Sequence, residues 1–308
     1  MDSDARVTVV LLTHDRPFEL ERAVYRLRYL PERPHIIVVD NGSRDAPAVR
    51  RIGRFPEVTF IRSERNLGAA GRNLGVARVN TPYVAFCDDD TWWEPGALQR
   101  ACDLLDAHPK LGVINGRVLV GVQETEDPTC ARMADSPLDS RGLPGPALIS
   151  FMAGAVVMRT QAWRDVRGYE PRLFLGAEEA LMALDMATAG WRMAYARDVV
   201  AHHFPSPVRD VPWRQTVLAR NRLWIAWLRL PWSDAWRETR AVLRDVLRQG
   251  HLLPVLWCAL SGLPWVLHQR RVVPPSVSAM HRRVFAGETM PELTQTPVAD
   301  TAPHVHKM

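Results

Sequence analysis

Lysine is almost missing from this chain: of 39 basic residues only Lys110 and Lys307 are lysine, and arginine supplies the rest. Such a choice, beside abundant alanine, reflects the base composition of coding DNA as readily as a polyanionic partner. The formal net charge is only +5, and no Lys/Arg-rich block interleaved with aromatics occurs, so no nucleic-acid partner is expected. Cysteine is scarce too. Cys87, Cys102, Cys130 and Cys258 form no CxxC pair and no His/Cys cluster at zinc spacing. That excludes a disulfide scaffold and fits reduced, buried thiols in the cytoplasm. The start, MDSDARVTVVLLTHDR, is acidic and its apolar run is too short for a signal peptide, so a cytoplasmic location is expected. The uncharged stretch Leu252–Leu267 falls short of the roughly 20 residues of a membrane span and is broken by Pro254 and Pro264. No internal repeat is present.

What the sequence does have is apolar material: 308 residues, 47% hydrophobic, suit one large domain or a domain with an appendage. Val7–Leu12, Ile36–Asp40, Val58–Ile61 and Tyr83–Cys87 read as strands, as continuous apolar runs buried on both faces. Between them fall helical patterns over Phe18–Leu30, the later part of Asn66–Ala77, and Glu94–His108. Pro17 suits a helix start. This alternation predicts an α/β fold with a mostly parallel, doubly wound sheet. Glu124–Ala147 reads as a long loop, and order returns at Phe151–Met158. A helix over Glu178–Ala189 stops at Gly190, and Trp191–Ala196 is a short strand. Trp213–Gln249 is helical, rich in Arg and Trp.

In such sheets ligands bind beyond the carboxyl ends of the strands, where Asp40 and Asp88 both fall. The run Asp88-Asp89-Asp90 follows a buried strand and needs positive charge, because unpaired buried carboxylates are strongly disfavoured. Asp88 and Asp90, two apart on an extended chain, point the same way and offer oxygen ligands to Mg²⁺ or Mn²⁺, with phosphate oxygens completing the shell. The alternative is an acidic turn capping the next helix. Trp92 and Trp93 beside it suit either stacking on a ligand ring or the core.

Five segments in this order, VTVVLLTHDRP, IIVVDNGSRD, RNLGAAGRNLGVA, YVAFCDDD and GAEEALMALDMATAGW…VVAHH, resemble the family 2 glycosyltransferases of GT-A fold. The likeness covers Val7 to His203. It implies a metal-dependent transferase that inverts the anomeric carbon. The donor would be a UDP- or dTDP-linked nucleotide diphospho-sugar, and the acceptor a glycan or lipid-linked glycan. By the same likeness Thr13, Arg16 and Asp40 border the nucleotide, with Asp15 where many relatives carry Asn. Arg72 contacts phosphate or is a solvated helix residue, and Asp88 and Asp89 contact the donor. Asp88, Asp90 and His202 hold the divalent metal, with His203 as the other candidate, and Gly154 lets the acceptor approach.

Glu178 and Glu179 match the element supplying the catalytic base, where relatives usually carry Asp. A positioned carboxylate takes the proton of an otherwise poor hydroxyl nucleophile. Adjacent helix residues diverge by about 100°, so only one faces the substrate. Glu179, with apolar neighbours Met182, Ala183 and Met186, is the first choice and Glu178 the second. An ordinary acidic first turn of a helix is the alternative.

The resemblance divides the chain into a catalytic domain over 1–205, with a nucleotide-sugar half (1–120) and an acceptor half (121–205), then a helical extension (206–285) and a flexible tail (286–308). Arg and Trp interleaved ahead of an apolar stretch predict either a helix lying on the inner face of the cell membrane or a lid packed on the domain. A sugar-nucleotide nucleotidyltransferase and an inactive GT-A scaffold are the alternative readings. The former would need a Gly-rich basic loop that THDRP does not supply.

Overall fold

The computed structural model describes residues 5–205 and 211–285. In chain order the first half runs β1 (Val7–Thr13), α1 (Pro17–Arg28), β2 (His35–Asp40), α2 (Ala46–Arg50), β3 (Val58–Arg62), α3 (Gly71–Val76), β4 (Tyr83–Asp88), β5 (Thr91–Trp93) and α4 (Ala97–Ala107). Then follow β6 (Leu111–Val120), β7 (Thr125–Glu126), α5 (Pro128–Ala134), β8 (Val156–Arg159), α6 (Thr160–Asp165), α7 (Glu178–Thr188) and β9 (Arg192–His203). The last helices are α8 (Val211–Arg229), α9 (Trp232–Gln249), α10 (Leu252–Ser261), α11 (Leu263–His268) and α12 (Pro275–Phe285).

All nine strands join one sheet in the order β3-β2-β1-β4-β8-β6-β9-β5, with β7 on β6. The β3-β2-β1-β4 half is parallel, and its strands carry the apolar runs that burial on both faces demands. Beyond β4 the sheet is mixed, because β8 runs antiparallel to both β4 and β6. Two features of this half were not expected. β6 was hidden by Asn115, Gly116 and Arg117, which interrupt its apolar pattern; Asn115 is fully buried because its Oδ1 accepts from Met152 N at 2.6 Å. β9 is longer than the short strand expected from Trp191, because the register jumps from Gly116↔Ala196 to Arg117↔Val200 and bulges the exposed Arg197 and Asp198 out of the ladder. The stretch expected as a loop also contains α5, started by Pro128 and capped where Asp127 accepts from Thr129 N at 2.8 Å.

The C-terminal helices pack on the sheet domain. Trp224, Ile225, Leu228, Val266 and Val277 are buried in the same core as the strands, each such side chain contributing about 1.5–3 kcal/mol. Arg229 on α8 grips Asp185 on α7 with two hydrogen bonds, of 2.5 and 2.9 Å. The helices therefore bear directly on α7, which carries the acid pair.

Candidate active site

Parallel register places Thr13 opposite Asp40 and Leu12 opposite Asp88, so β1, β2 and β4 bring their carboxyl ends to one rim. The aspartate run divides there. The Asp88 side chain is 40% exposed and faces the rim, paired with the buried Arg72. Asp89 and Asp90 are buried. Asp89 accepts from Thr13 Oγ1 at 2.9 Å and from Arg16 at 3.2 Å, and Arg16 also reaches Asp90 at 3.4 Å. Burial pushes the Asp89 carboxyl up to about 7 despite Arg16, with Asp90 and Asp88 adding to the rise. Burial pulls the Arg72 guanidinium down, but Asp88, Tyr169, Glu178 and Glu179 together outweigh it, so its net shift is upward. The positive partners missing from the local sequence are thus in part Arg16 and Arg72, two of the residues expected at the donor.

The two histidines diverge, as neighbours on a strand must. His203 Nε2 lies 3.7 Å from Asp90 Oδ1. His202 turns away, stacked on Trp92 with ring centroids 5.7 Å apart and 3.5 Å from Glu124 Oε1. Of the two, His203 is the one beside an acid of the run, since the register of β9 on β5 sets it opposite Thr91 and His202 opposite Trp92. Trp93 is buried in the core, as one of its two readings had it. Among the described residues no group of three or more His, Cys, Asp and Glu is gathered to hold an ion by itself. Asp90 stands beside His203, and Asp88 is open at the rim; carboxylate oxygen and imidazole nitrogen are donor types that Mg²⁺ or Mn²⁺ accepts when phosphate oxygens complete its shell.

Asp40 and Gly154, two other residues singled out in the sequence, also lie at the rim. Asp40 is fully buried, paired with Arg62 and accepting from Ser43 N at 2.9 Å, so it shapes the turn after β2. Gly154 packs against the rim. A Cβ there would lie 3.0 Å from Asp88 Oδ2, so the glycine preserves the space beside that carboxylate.

The acids of α7 follow a loop of unusual backbone: Phe174, Gly176 and Ala177 have φ of 62°, 90° and 64°. Such conformations persist in non-glycine residues only when the surroundings enforce them. Asn221 on α8 does so, donating to the carbonyls of Leu173, Leu175 and Gly176 at 2.8, 3.1 and 2.6 Å. Phe174 O also accepts from Ala69 N at 2.6 Å, joining the loop to the segment before α3. Glu178 is buried and Glu179 half-buried. Burial raises both carboxyls, and the charge of Glu178 raises Glu179 further, well above the ordinary range; Arg72 opposes both shifts. A carboxylate so raised suits general-base work. Sequence reasoning missed Arg62 and Asn221, whose roles depend on long-range packing.

The profile of the family described as Glycosyl transferase family 2 matches residues 8–163. A pre-mycofactocin glycosyltransferase of Mycobacterium tuberculosis is 30% identical over 217 residues, covering 66% of this chain and 44% of that protein. This chain thus spans less than half the length of that relative. An N-acetylglucosaminyl-diphospho-decaprenol L-rhamnosyltransferase from the same organism is 23% identical, over 66% of this chain and 78% of its own. Among solved structures, the mannosyltransferase PcManGT of Pyrobaculum calidifontis, in complex with GDP-Man and Mn²⁺, superposes with a TM-score of 0.55 at 18% identity, covering 91% of this chain and 85% of its own. S. aureus TarS, in complex with UDP-GlcNAc, gives 0.57 at 14% identity, over 90% and 87%. These likenesses show the fold, GT-A, with the helical C-terminal region attached. Together with the profile match they establish that the chain belongs to the family 2 glycosyltransferases.

Proposed function

We propose that this protein is a metal-dependent, inverting glycosyltransferase that moves a sugar from a nucleotide diphospho-sugar to an acceptor hydroxyl. The observation that carries the reading is the meeting of three features: the open Asp88 with Arg72, the Asp90–His203 pair, and the raised acid pair opening α7. The donor lies along the rim of β1 and β4, its nucleoside beside Thr13 and Arg16 and its diphosphate toward Arg72 and Asp88. Arg72 suits phosphate because its guanidinium is rigid and permanently charged. Asp88, Asp90 and His203 would hold a divalent ion, which would supply charge stabilisation to the departing diphosphate. Glu179 takes the acceptor's proton, the freed oxygen attacks the anomeric carbon in line, and the bond to the diphosphate breaks with its electron pair on the leaving oxygen. A single displacement of this kind inverts the configuration.

The donor is UDP- or dTDP-linked on this reading, and the related complexes with UDP-GlcNAc and GDP-Man support a nucleotide sugar as the class. Calorimetric titration with UDP and dTDP, with and without Mn²⁺, tests it. Metal-dependent binding that Asp90→Ala abolishes is the expected result. Failure of both nucleotides under every metal condition would remove the donor assignment.

The C-terminal helices support work at a membrane surface. No helix among the described residues is long and apolar enough to cross a membrane. Yet Leu253, Trp257, Leu260 and Leu267 lie exposed at helical spacing on α10 and α11, and the adjacent α9 exposes Arg240, Arg244 and Arg248. Apolar side chains at an interface flanked by arginine fit an anionic bilayer on the inner face of the cell membrane. Sedimentation with phosphatidylglycerol vesicles that Trp257→Glu abolishes is expected.

A further inference from the structure

Arg72 is buried, which arginine seldom is unless paired, and Asp88 holds one nitrogen of its guanidinium, Nη2. Its Nε has no hydrogen-bond partner among the described residues. A second contact bears on the group. The guanidinium carbon stands over the ring of Tyr169, 5.9 Å from the centroid. That is inside the roughly 6 Å over which a cation is drawn to an aromatic face, and guanidinium groups stack readily on such faces. Burial raises the Tyr169 hydroxyl well above its ordinary value, Glu179 adding and Arg72 opposing. The ring is therefore neutral and meets Arg72 by its face, not as a phenolate.

Tyr169 is itself held in two ways. Its ring stands edge-on to Trp163 of α6 at 5.0 Å, and Trp163 stacks on Phe86 of β4 at 4.9 Å, both within the favourable range for aromatic pairs. All three rings are buried, and Phe86 lies two residues before Asp88 on the same strand. The Tyr169 backbone is clamped by Asn73, the residue after Arg72. Asn73 Nδ2 donates to Tyr169 O at 2.9 Å, and Tyr169 N donates to Asn73 Oδ1 at 3.0 Å. The approach requires a glycine before Tyr169: Gly168 has φ of 75°, and a Cβ there would lie 2.4 Å from Asn73 Oδ1. The turn that carries Tyr169 is thus fastened to α3 at the position next to Arg72.

We propose that Tyr169 is a positioning residue for the donor: its ring, fixed by Asn73 and Trp163, holds the Arg72 guanidinium in the direction that a diphosphate requires. The assignment rests on the glycosyltransferase reading above, in which Arg72 meets the diphosphate. Tyr169 acts through Arg72 and touches no substrate. A guanidinium aimed in advance loses less side-chain freedom when phosphate binds, and so binds it more tightly.

Two measurements on the full chain test it: calorimetry in Mn²⁺ with UDP, dTDP and the matching nucleosides, and nitrogen-15 NMR of the arginine Nε–H groups without ligand. Tyr169→Phe keeps the ring and deletes a hydroxyl that has no partner among the described residues, so nucleotide affinity should be unchanged. Tyr169→Leu removes the ring. It should weaken the nucleoside diphosphate about tenfold, equivalent to ~1.4 kcal/mol, and leave nucleoside binding unchanged. In an Arg72→Met background the same Tyr169→Leu change should weaken the diphosphate no further, since the two residues act as one unit. In the NMR spectrum the Arg72 Nε–H, identified by its loss in Arg72→Met, should shift in Tyr169→Leu and stay nearly in place in Tyr169→Phe. Additive losses in the double variant, an equal loss for the nucleoside, or equal losses in Tyr169→Phe and Tyr169→Leu overturn the positioning role. An Arg72 Nε–H unmoved in Tyr169→Leu overturns the contact itself, whatever the nucleotides do. A shifted Nε–H in a chain that binds neither nucleotide leaves the contact standing and overturns the donor reading, and the positioning role with it.

Discussion

Asn221 holds Gly176: from α8, its fully buried side-chain amide donates to the Gly176 carbonyl at 2.6 Å, two residues before the acid pair. The same amide serves Leu173 and Leu175, while its oxygen accepts from Arg220 at 2.7 Å. A helix outside the sheet domain thus fixes the left-handed turn from which Glu178 and Glu179 emerge. Asn221→Leu strands buried carbonyls, at roughly 1–3 kcal/mol for each group left unpaired. The expected outcome is a Tm lower by about 4–8 °C and a fall in kcat of about tenfold, with nucleotide affinity by calorimetry unchanged. An unchanged kcat would show that the loop holds its shape without α8.

The acid pair separates by substitution. Glu179→Gln keeps size and burial but removes the base, so kcat should fall by about 10²–10⁴-fold, the usual contribution of such a group. Glu178→Gln should cost much less. Because both burial and Glu178 raise Glu179, the acid limb of the kcat profile should lie above the ordinary carboxylate range, and in Glu178→Gln it should move to lower pH. A limb that stays in place in Glu178→Gln would assign the titration to another group.

The histidines give a sharper contrast, since geometry and spacing favour different residues. His203→Ala should weaken Mn²⁺-dependent UDP binding by about tenfold, the lower range for loss of a group at a metal. His202→Ala should leave it unchanged and chiefly loosen the stack on Trp92. Calorimetry on both variants decides, and the reverse order would return the role to His202.

The same case shows where the sequence was legible. β1, β2 and β4 stood out because strands buried on both faces are continuous apolar runs, and the acid run ended one of them. The choice between His202 and His203 depends on strand register, which spacing alone does not specify. Asp40 stands at the end of β2 as the sequence suggests, but its partner Arg62 comes from the neighbouring strand β3, a pairing that only the parallel register supplies. β6 escaped notice because a buried Asn115 is tolerable only when its partner at Met152 is known. Asn221 gave no signal of its own, being one polar residue in an Arg- and Trp-rich helix until the loop it grips is placed beside it.

The helical region should have its own pH response, away from the rim of the sheet. His281 on α12 is buried beside Phe285, and burial lowers its imidazole to about 4, Arg237 and Arg282 reinforcing and Asp234 opposing the shift. Above the ordinary value of 6.5 both folded and unfolded chains keep it neutral, and its contribution to stability is complete. As pH falls from there toward 4, the unfolded chain takes up a proton that the folded chain refuses, so stability declines by about 1.4 kcal/mol per pH unit and roughly 3 kcal/mol in all. His281→Gln stays neutral throughout. The difference in Tm between parent and variant should therefore be constant above about pH 7 and shift in the variant's favour by several degrees near pH 5. Parallel Tm profiles across that range would mean that His281 is protonated in the folded chain, its charge held by Asp234.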